Sequence, residues 1–292
     1  MASTNAATPT AAPAVPDATT SSGLPTPTAS GLASVNGIEL AWQSFGEGGP
    51  VPLVLLHGGF GSVEMFGPNV AALAATRRVI GVDLQSHGRS PAANRPMAFT
   101  AMADDVAAVL DGLGLGPVDL LGFSLGGEVA LRTAIQHPDR IRRLALVSTV
   151  ARRSGWHLEM SAGMDAMGPE IAPMMLQTPL GATYTAIAPN PADWPVLVGQ
   201  LTTLLKDDYD WTAEVRGLQP PTILVAGDAD GLPPSHAVEF FELLGGGLRD
   251  GSWDRSGMTR HRLAILPGLT HYDINVAPAL VAAVTPFLDE VP

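Results

Sequence analysis

One serine between two glycines is the first feature of this chain that could do chemistry. In Leu120-Leu121-Gly122-Phe123-Ser124-Leu125-Gly126-Gly127, a short apolar run stops at a glycine and a helix-like pattern follows through Ile135. This is G-x-S-x-G between a predicted strand and a predicted helix, the context that gives the motif its meaning. A sharp strand-to-helix turn strains the backbone at the serine, so its neighbours must be nearly bare; Gly122 and Gly126 meet that need. The turn leaves the Ser124 hydroxyl at a helix N-terminus, where unpaired N–H groups favour developing negative charge. A serine hydroxyl is a poor nucleophile near neutral pH, and needs a base to take its proton and a third group to orient that base. Such groups belong on loops at the carboxyl ends of strands, the edge where open α/β sheets form their sites. His271 follows the last predicted strand, and Asp230 lies in the Gly-rich turn after the strand before it. The chain order Ser, Asp, His is the one this architecture expects.

The elements that must position these residues alternate. Val35–Phe45 reads as an opening strand, Val51–Leu56 as a strand buried on both faces, and Ser62 can cap a helix running to about Ala75. Arg78–Val82 is the next buried strand. Thr100 starts an amphipathic helix with Met102, Val106, Val109, Leu110 and Leu113 at helical spacing. Val118–Leu121 leads into the Ser124 turn, and Arg143–Val147 is another strand. Residues 150–218 break the rhythm with many Pro and Gly, five methionines, and Trp156, Trp194 and Trp211. Pro220–Ala226 resumes it as a strand, followed by a helix from about Ser235 to Leu244, a polar Gly-rich loop, a strand over Arg262–Leu266 and a closing helix over Ala277–Leu288. Alternation at these intervals predicts an α/β fold with a mostly parallel, doubly wound sheet and helices on both faces. Residues 1–31 are mainly Ala, Thr, Pro and Ser with one charged side chain, Asp17, and are expected to form a disordered leader.

The pattern resembles the α/β-hydrolase superfamily over about residues 35–150 and 219–292. The resemblance rests on His57-Gly58-Gly59, Asp83 with His87-Gly88-Arg89-Ser90, Gly122-Phe123-Ser124-Leu125-Gly126, Gly227-Asp228-Ala229-Asp230 and Gly268-Leu269-Thr270-His271. It implies a core of residues 32–149 and 219–292, with 150–218 inserted as a helical cap over the active site. It also implies that Asp230 rather than Asp228 is the acid, because the family's acid commonly stands three residues after the glycine closing its strand. Oxyanion donors are implied at the backbone N–H groups of Leu125 and Gly59, with Phe60 the neighbouring alternative. Gly59 is expected to leave open space over the serine, and His57, His87 and Arg89 are expected to fix loops. Related dehalogenases and epoxide hydrolases carry an aspartate nucleophile where this chain has Ser124.

Composition narrows the function classes. A net charge of −12, from 28 acidic and 16 basic residues, disfavours nucleic acid and anionic membranes as partners. No apolar stretch is long enough to span a bilayer. The absence of cysteine removes thiolate nucleophiles, disulfides and thiolate metal sites. Seven histidines stand scattered with no His-x-x-x-His pair, so no metal is expected, and no cofactor. With neither a basic n-region nor an apolar h-region at the start, the expected location is cytoplasmic.

The expectation is a serine hydrolase of carboxylic esters or lactones, working as a monomer or homodimer through an acyl-enzyme, with Ser124, Asp230 and His271 catalytic. Met and Trp grouped over an active-site edge suggest an adaptable apolar roof and hence a small-molecule substrate with an apolar group, bound by Phe60, Phe123, Trp156, Met160 and Trp194. The rivals keep the same three residues: a hydrolase of a carbon–carbon bond in a vinylogous diketone, a perhydrolase, or a ligand receptor without catalysis.

Overall fold

The computed structural model describes residues 23–290. Two strands, β1 (Ala29–Val35) and β2 (Ile38–Phe45), open the chain as an antiparallel hairpin paired Val35 to Ile38. The two-residue connection is Asn36-Gly37, both with positive φ (47° and 80°), as a tight hairpin of the sheet's twist demands. The sequence reading placed one strand at Val35–Phe45 and assigned Ala29–Gly31 to the leader. The hairpin corrects both, and residues 1–22 of that leader lie outside the described residues.

Next come β3 (Leu53–Leu56), α1 (Pro68–Ala74), β4 (Val79–Val82), α2 (Phe99–Gly112), β5 (Val118–Phe123), α3 (Leu125–Gln136) and β6 (Ile141–Val147). The helix expected from Ser62 is a 3₁₀ turn over Val63–Phe66 and then α1, divided where Gly67 takes positive φ ahead of Pro68. Five short helices follow: α4 (Leu158–Ala166), α5 (Ala172–Met175), α6 (Pro179–Ile187), α7 (Trp194–Leu204) and α8 (Thr212–Val215). The chain closes with β7 (Thr222–Ala229), α9 (Pro234–Leu243), β8 (Arg262–Thr270) and α10 (Pro278–Asp289).

All eight strands form one sheet in the order β1-β2-β4-β3-β5-β6-β7-β8. Pairing is parallel from β4 to β8 and antiparallel at β1–β2 and β2–β4. The central strands are buried from end to end, which is why β3 and β4 read as unbroken apolar runs. On one face α2, α3 and α9 bury Met102, Val106, Leu131 and Phe240; on the other α1 and α10 bury Val70, Leu73, Val284 and Phe287. Helix α7 joins the first of these cores through Trp194, Leu197 and Leu201. Among the described residues no helix is long and apolar enough to cross a membrane.

The β5–α3 junction is the tightest part of the fold. A Cβ on Gly122 would stand 2.1 Å from the Gly126 carbonyl oxygen, and one on Gly126 would stand 2.3 and 2.4 Å from the carbonyl oxygens of Leu56 and His57. All three obstacles are backbone oxygens, one in the first turn of α3 and two at the end of β3, so nothing can yield cheaply. Gly122→Ala and Gly126→Ala should each destabilise the protein by about 3 kcal/mol or more. Gly112, with open space around its would-be Cβ, is the control: Gly112→Ala should be neutral or stabilising by up to about 1 kcal/mol. Urea denaturation midpoints at a common m-value check all three.

Candidate active site

Ser124 stands at the last step of the β5–α3 turn with φ 52° and ψ −123°, in the left-handed half of backbone space that non-glycine residues rarely occupy. Its N–H donates to the Val147 carbonyl (2.9 Å), and its own carbonyl accepts from Gly127 and Glu128 (2.7 and 3.0 Å). The distortion is held by the end of β6 on one side and the first turn of α3 on the other. His271 begins the turn directly after β8. That strand runs four residues past the expected end at Leu266, resuming its pairing with β7 at Ala229–Thr270 beyond an irregularity after Gly227. The extension carries the imidazole over the elbow: Nε2 lies 3.0 Å from the Ser124 hydroxyl oxygen. Nδ1 lies 2.8 Å from Asp230 Oδ1. With the Nδ1 proton given to the carboxylate, Nε2 is free to accept from the serine.

Asp230 is buried just beyond β7, and both its oxygens are occupied. Oδ1 also accepts from the Gly231 N–H (2.6 Å), while Oδ2 accepts from the Gly227 N–H (3.0 Å) and the Ser148 hydroxyl (2.5 Å). Burial works to raise the Asp230 pKa, but hydrogen bonds from His271, Ser148 and Gly227 outweigh it and hold the carboxyl below its ordinary value. Ser148 is the functional neighbour that sequence reasoning missed. It is fully buried at the end of β6 with φ 51°. Its signal was positional: a polar residue at the carboxyl end of β6, the strand between those that lead to Ser124 and Asp230. Asp228 faces elsewhere and accepts from the Gly268 N–H at 2.8 Å, tying β7 to the β8 irregularity.

The two expected oxyanion donors are the backbone N–H groups of Leu125 and Gly59. Leu125 opens α3, where the first N–H groups have no intrahelical partner; neither its N–H nor that of Gly59 is bonded internally among the described residues. The alternative donor, Phe60, is engaged: its N–H donates to His87 Nε2 at 3.2 Å, and His87 Nδ1 in turn donates to the Gln85 carbonyl. His57 makes the matching link, accepting from the Leu84 N–H (3.0 Å) and donating to the Gly58 carbonyl (2.8 Å). These two buried rings hold the loops after β3 and β4 together. Burial lowers both of their pKa values, that of His87 to about 3, so they hold the loops as neutral imidazoles. Asp83 accepts from the N–H groups of Val63 and Arg89 (2.9 Å each), and Arg89 pairs with Glu64.

The expected substrate-contacting residues divide. Phe123 lies beside the His271 ring with centroids 5.2 Å apart, and Trp156 meets the same ring edge-to-face at 5.5 Å. Met160, with Met164 and Met167, lines a cavity of about 650 Å³ that also borders Asp230, His271 and Tyr272. Phe60 borders a narrower, mostly apolar cavity of about 130 Å³ beneath α6. Trp194 does not join them: it is 1% exposed, donates its indole N–H to the Ala172 carbonyl (2.9 Å) and packs on Tyr184. A large aromatic in an amphipathic helix is equally suited to that helix's own core, and here packing decided. Nor is the space beside Gly59 open. The Leu201 side chain of α7 lies 3.2 Å from where a Cβ would stand.

A family model for the alpha/beta hydrolase fold matches residues 51–233 of this sequence. The chain belongs to that family. Among curated proteins, it is 30% identical over 220 residues to the dihydrolipoyllysine-residue acetyltransferase component of the acetoin cleaving system of Pseudomonas putida, covering 70% of this chain and 59% of that one. It is 44% identical over 98 residues to a pimeloyl-[acyl-carrier protein] methyl ester esterase of Neisseria meningitidis, covering 34% and 36%. The chain therefore spans less than two thirds of the length of either relative. Among solved structures it is similar to the enol-lactonase from Burkholderia xenovorans, with a TM-score of 0.68, 25% identity, and 89% of this chain and 100% of that one covered.

The depressed Asp230 carboxyl gives a stability prediction with a definite sign. A carboxyl whose pKa is lower in the folded state stabilises fully above its unfolded value, about 3.9, and the contribution is lost as pH falls through the folded value. Asp230→Asn should therefore flatten the fall in urea midpoint below about pH 4, while Asp228→Asn should leave that fall as it is. Ser148→Ala should move the fall to higher pH, because the carboxylate loses a donor.

Proposed function

We propose that this chain is a serine hydrolase that cleaves a carboxylic ester or lactone through an acyl-enzyme. The observation that carries the reading is the continuous path from the Ser124 hydroxyl to His271 Nε2 (3.0 Å) and from Nδ1 to the Asp230 carboxylate (2.8 Å). In this reading Ser124 attacks the carbonyl carbon while His271 takes its proton. The tetrahedral intermediate carries a negative oxygen, which the Leu125 and Gly59 N–H groups bind; one such donor is commonly worth about 10²–10³ in rate. His271 then returns the proton to the leaving alcohol oxygen. Water, deprotonated by the same imidazole, releases the acid and restores the serine. Asp230 fixes the imidazole tautomer and stabilises the imidazolium that forms twice per cycle. Its four internal donors keep it ionised for that task.

The substrate class rests on the surroundings. The segment between β6 and β7 acts as the cap: α7 lays Leu201 against Gly59, and α4 turns methionines toward the His271 side. Unbranched thioether side chains suit apolar groups of varied shape. The esterase and enol-lactonase among the similar proteins act on carboxylic esters in open and cyclic form, which supports the same class here.

A fluorophosphonate should label Ser124, and a panel of chromogenic short-chain esters and lactones should be hydrolysed. Ser124→Ala should abolish both with little change in stability. Asp230→Asn should lower kcat by about 10³–10⁴, and Asp228→Asn by far less. Turnover of diketones with no activity on any ester would assign carbon–carbon cleavage instead. An intact protein that resists labelling would point to a receptor.

A further inference from the structure

The surroundings of Ser124 differ in width, and in how firmly they are held, between the Gly59 loop and the His271 side. Beside the loop, both methyls of Leu201 lie against the place a Gly59 side chain would take, Cδ2 at 3.2 Å and Cδ1 at 3.9 Å. A methyl of Leu125 meets the same point at 4.0 Å. Leu201 is fully buried and shares one core with Leu125, Phe60 and Trp194. Its helix is tied down next door. Gln200 accepts from the Ser86 hydroxyl (2.9 Å) and donates to the Ala93 and Arg95 carbonyls (2.6 and 3.1 Å), all on the stretch after β4. That stretch is joined in turn to the Gly59 loop through the buried His57 and His87 rings. The wall and the loop it faces are therefore bound into one unit.

The His271 side is roomier. There the cavity of about 650 Å³ is walled by Met160, Met164 and Met167 and borders the exposed Tyr272. Helix α4 carries the first two methionines, and Arg153 of its own segment bonds to its Ser161 (2.8 Å) and Asp165 (2.9 Å). Unbranched thioether chains can turn to suit what enters.

The two halves of an ester are sorted by the chemistry. The proton that His271 takes from Ser124 goes to the alkoxide oxygen, so that oxygen must come within reach of Nε2 and its carbon chain leaves on the His271 side. The carbonyl oxygen turns to the Leu125 and Gly59 N–H groups. The acyl chain takes the remaining bond of the carbonyl carbon, away from the imidazole. We propose that Leu201 is a specificity-determining residue that closes the acyl side, so that this chain takes esters of a short, unbranched acid with a large apolar alcohol. The inference rests on the serine-hydrolase reading. A long or α-branched acyl group has to displace a side chain in a filled core, which resists added volume; the alcohol meets side chains that adapt. In a lactone the carbon bearing the ring oxygen faces the methionines, and the carbon next to the carbonyl faces Leu201.

The test is a two-way series of kcat/KM values. With p-nitrophenol as the fixed alcohol, kcat/KM of the wild type should fall about 10–100-fold from acetyl to hexanoyl, the scale on which a pocket wall rejects added methylenes. Isobutyryl should fall likewise. With acetyl as the fixed acid, kcat/KM should hold or rise from the ethyl to the octyl ester, whose alcohols are equally poor leaving groups. A butyrolactone with a hexyl chain on the carbon bearing the ring oxygen should open far faster than its isomer with the chain beside the carbonyl. Leu201→Ala should raise the hexanoyl-to-acetyl ratio about tenfold, and Leu201→Val by less; the ratio does not depend on how much of the variant folds. Met160→Ala should change the alcohol series and leave the acyl ratio as it is. Wild-type protein that hydrolyses octanoyl and acetyl esters alike, or a Leu201→Ala ratio equal to that of wild type, would overturn the assignment. So would a Met160→Ala variant that shifts the acyl ratio. Should Leu201→Ala fail to fold, the smaller hole left by Leu201→Val and the wild-type series decide the matter. A wild-type protein with neither turnover of any ester nor fluorophosphonate labelling would instead overturn the hydrolase reading, and this inference with it.

Discussion

The backbone at Ser124 is pinned in a conformation that an L-residue resists, and the site depends on that compression. Relaxing it would require α3 to move away from β5 and β3, against carbonyl oxygens that leave no room even for a methyl group at Gly122 or Gly126. The strain is thus stored by packing that the strands supply anyway, through cores that enclose β3, β5 and β6 on both faces. Because the position of Ser124 is a by-product of sheet packing, its backbone needs no dedicated contact to hold the turn.

The rest of the edge is arranged by hydrogen bonds rather than by packing. Asp230 collects donors from three places: the β7 backbone at Gly227, its own turn at Gly231, and the end of β6 through Ser148. Each donor both fixes the carboxylate and keeps it charged, so orientation and ionisation have a single cause. The His57 and His87 rings do the opposite service on the other flank. Being neutral and buried, each can give one hydrogen bond and take one, which suits a ring bridging two loops at a single point each. One consequence is chemical: the Phe60 N–H is spent on His87, whereas that of Gly59 has no internal partner among the described residues.

Much of this was legible in the residues, and what was missed has physical reasons. The buried strands announced themselves because two-sided burial demands unbroken apolar runs, and the motif at Ser124 because only glycines fit around it. The hairpin at Asn36-Gly37 carried a turn signal of equal strength, but its first strand is mostly exposed and so lacks an apolar pattern to bound it. Trp194 was assigned to the pocket and Leu201 was passed over because composition cannot say which face of a helix looks at the site and which at its own interior. Ser148 escaped for a different reason: a lone hydroxyl at the end of an apolar run has no periodicity to report its partner.

By itself the sequence determined the order of the core strands and helices from β2 onward and singled out Ser124, Asp230 and His271 as candidates, since these follow from local rules: burial periodicity, turn chemistry and the steric demands of a tight elbow. The tertiary structure alone decided what surrounds them. It extended β8 to bring His271 within 3.0 Å of Ser124, filled the space beside Gly59 with Leu201, and set the Trp156 ring edge-on against the imidazole. Those are contacts between segments tens to hundreds of residues apart, fixed by how whole elements pack, and no local rule encodes them.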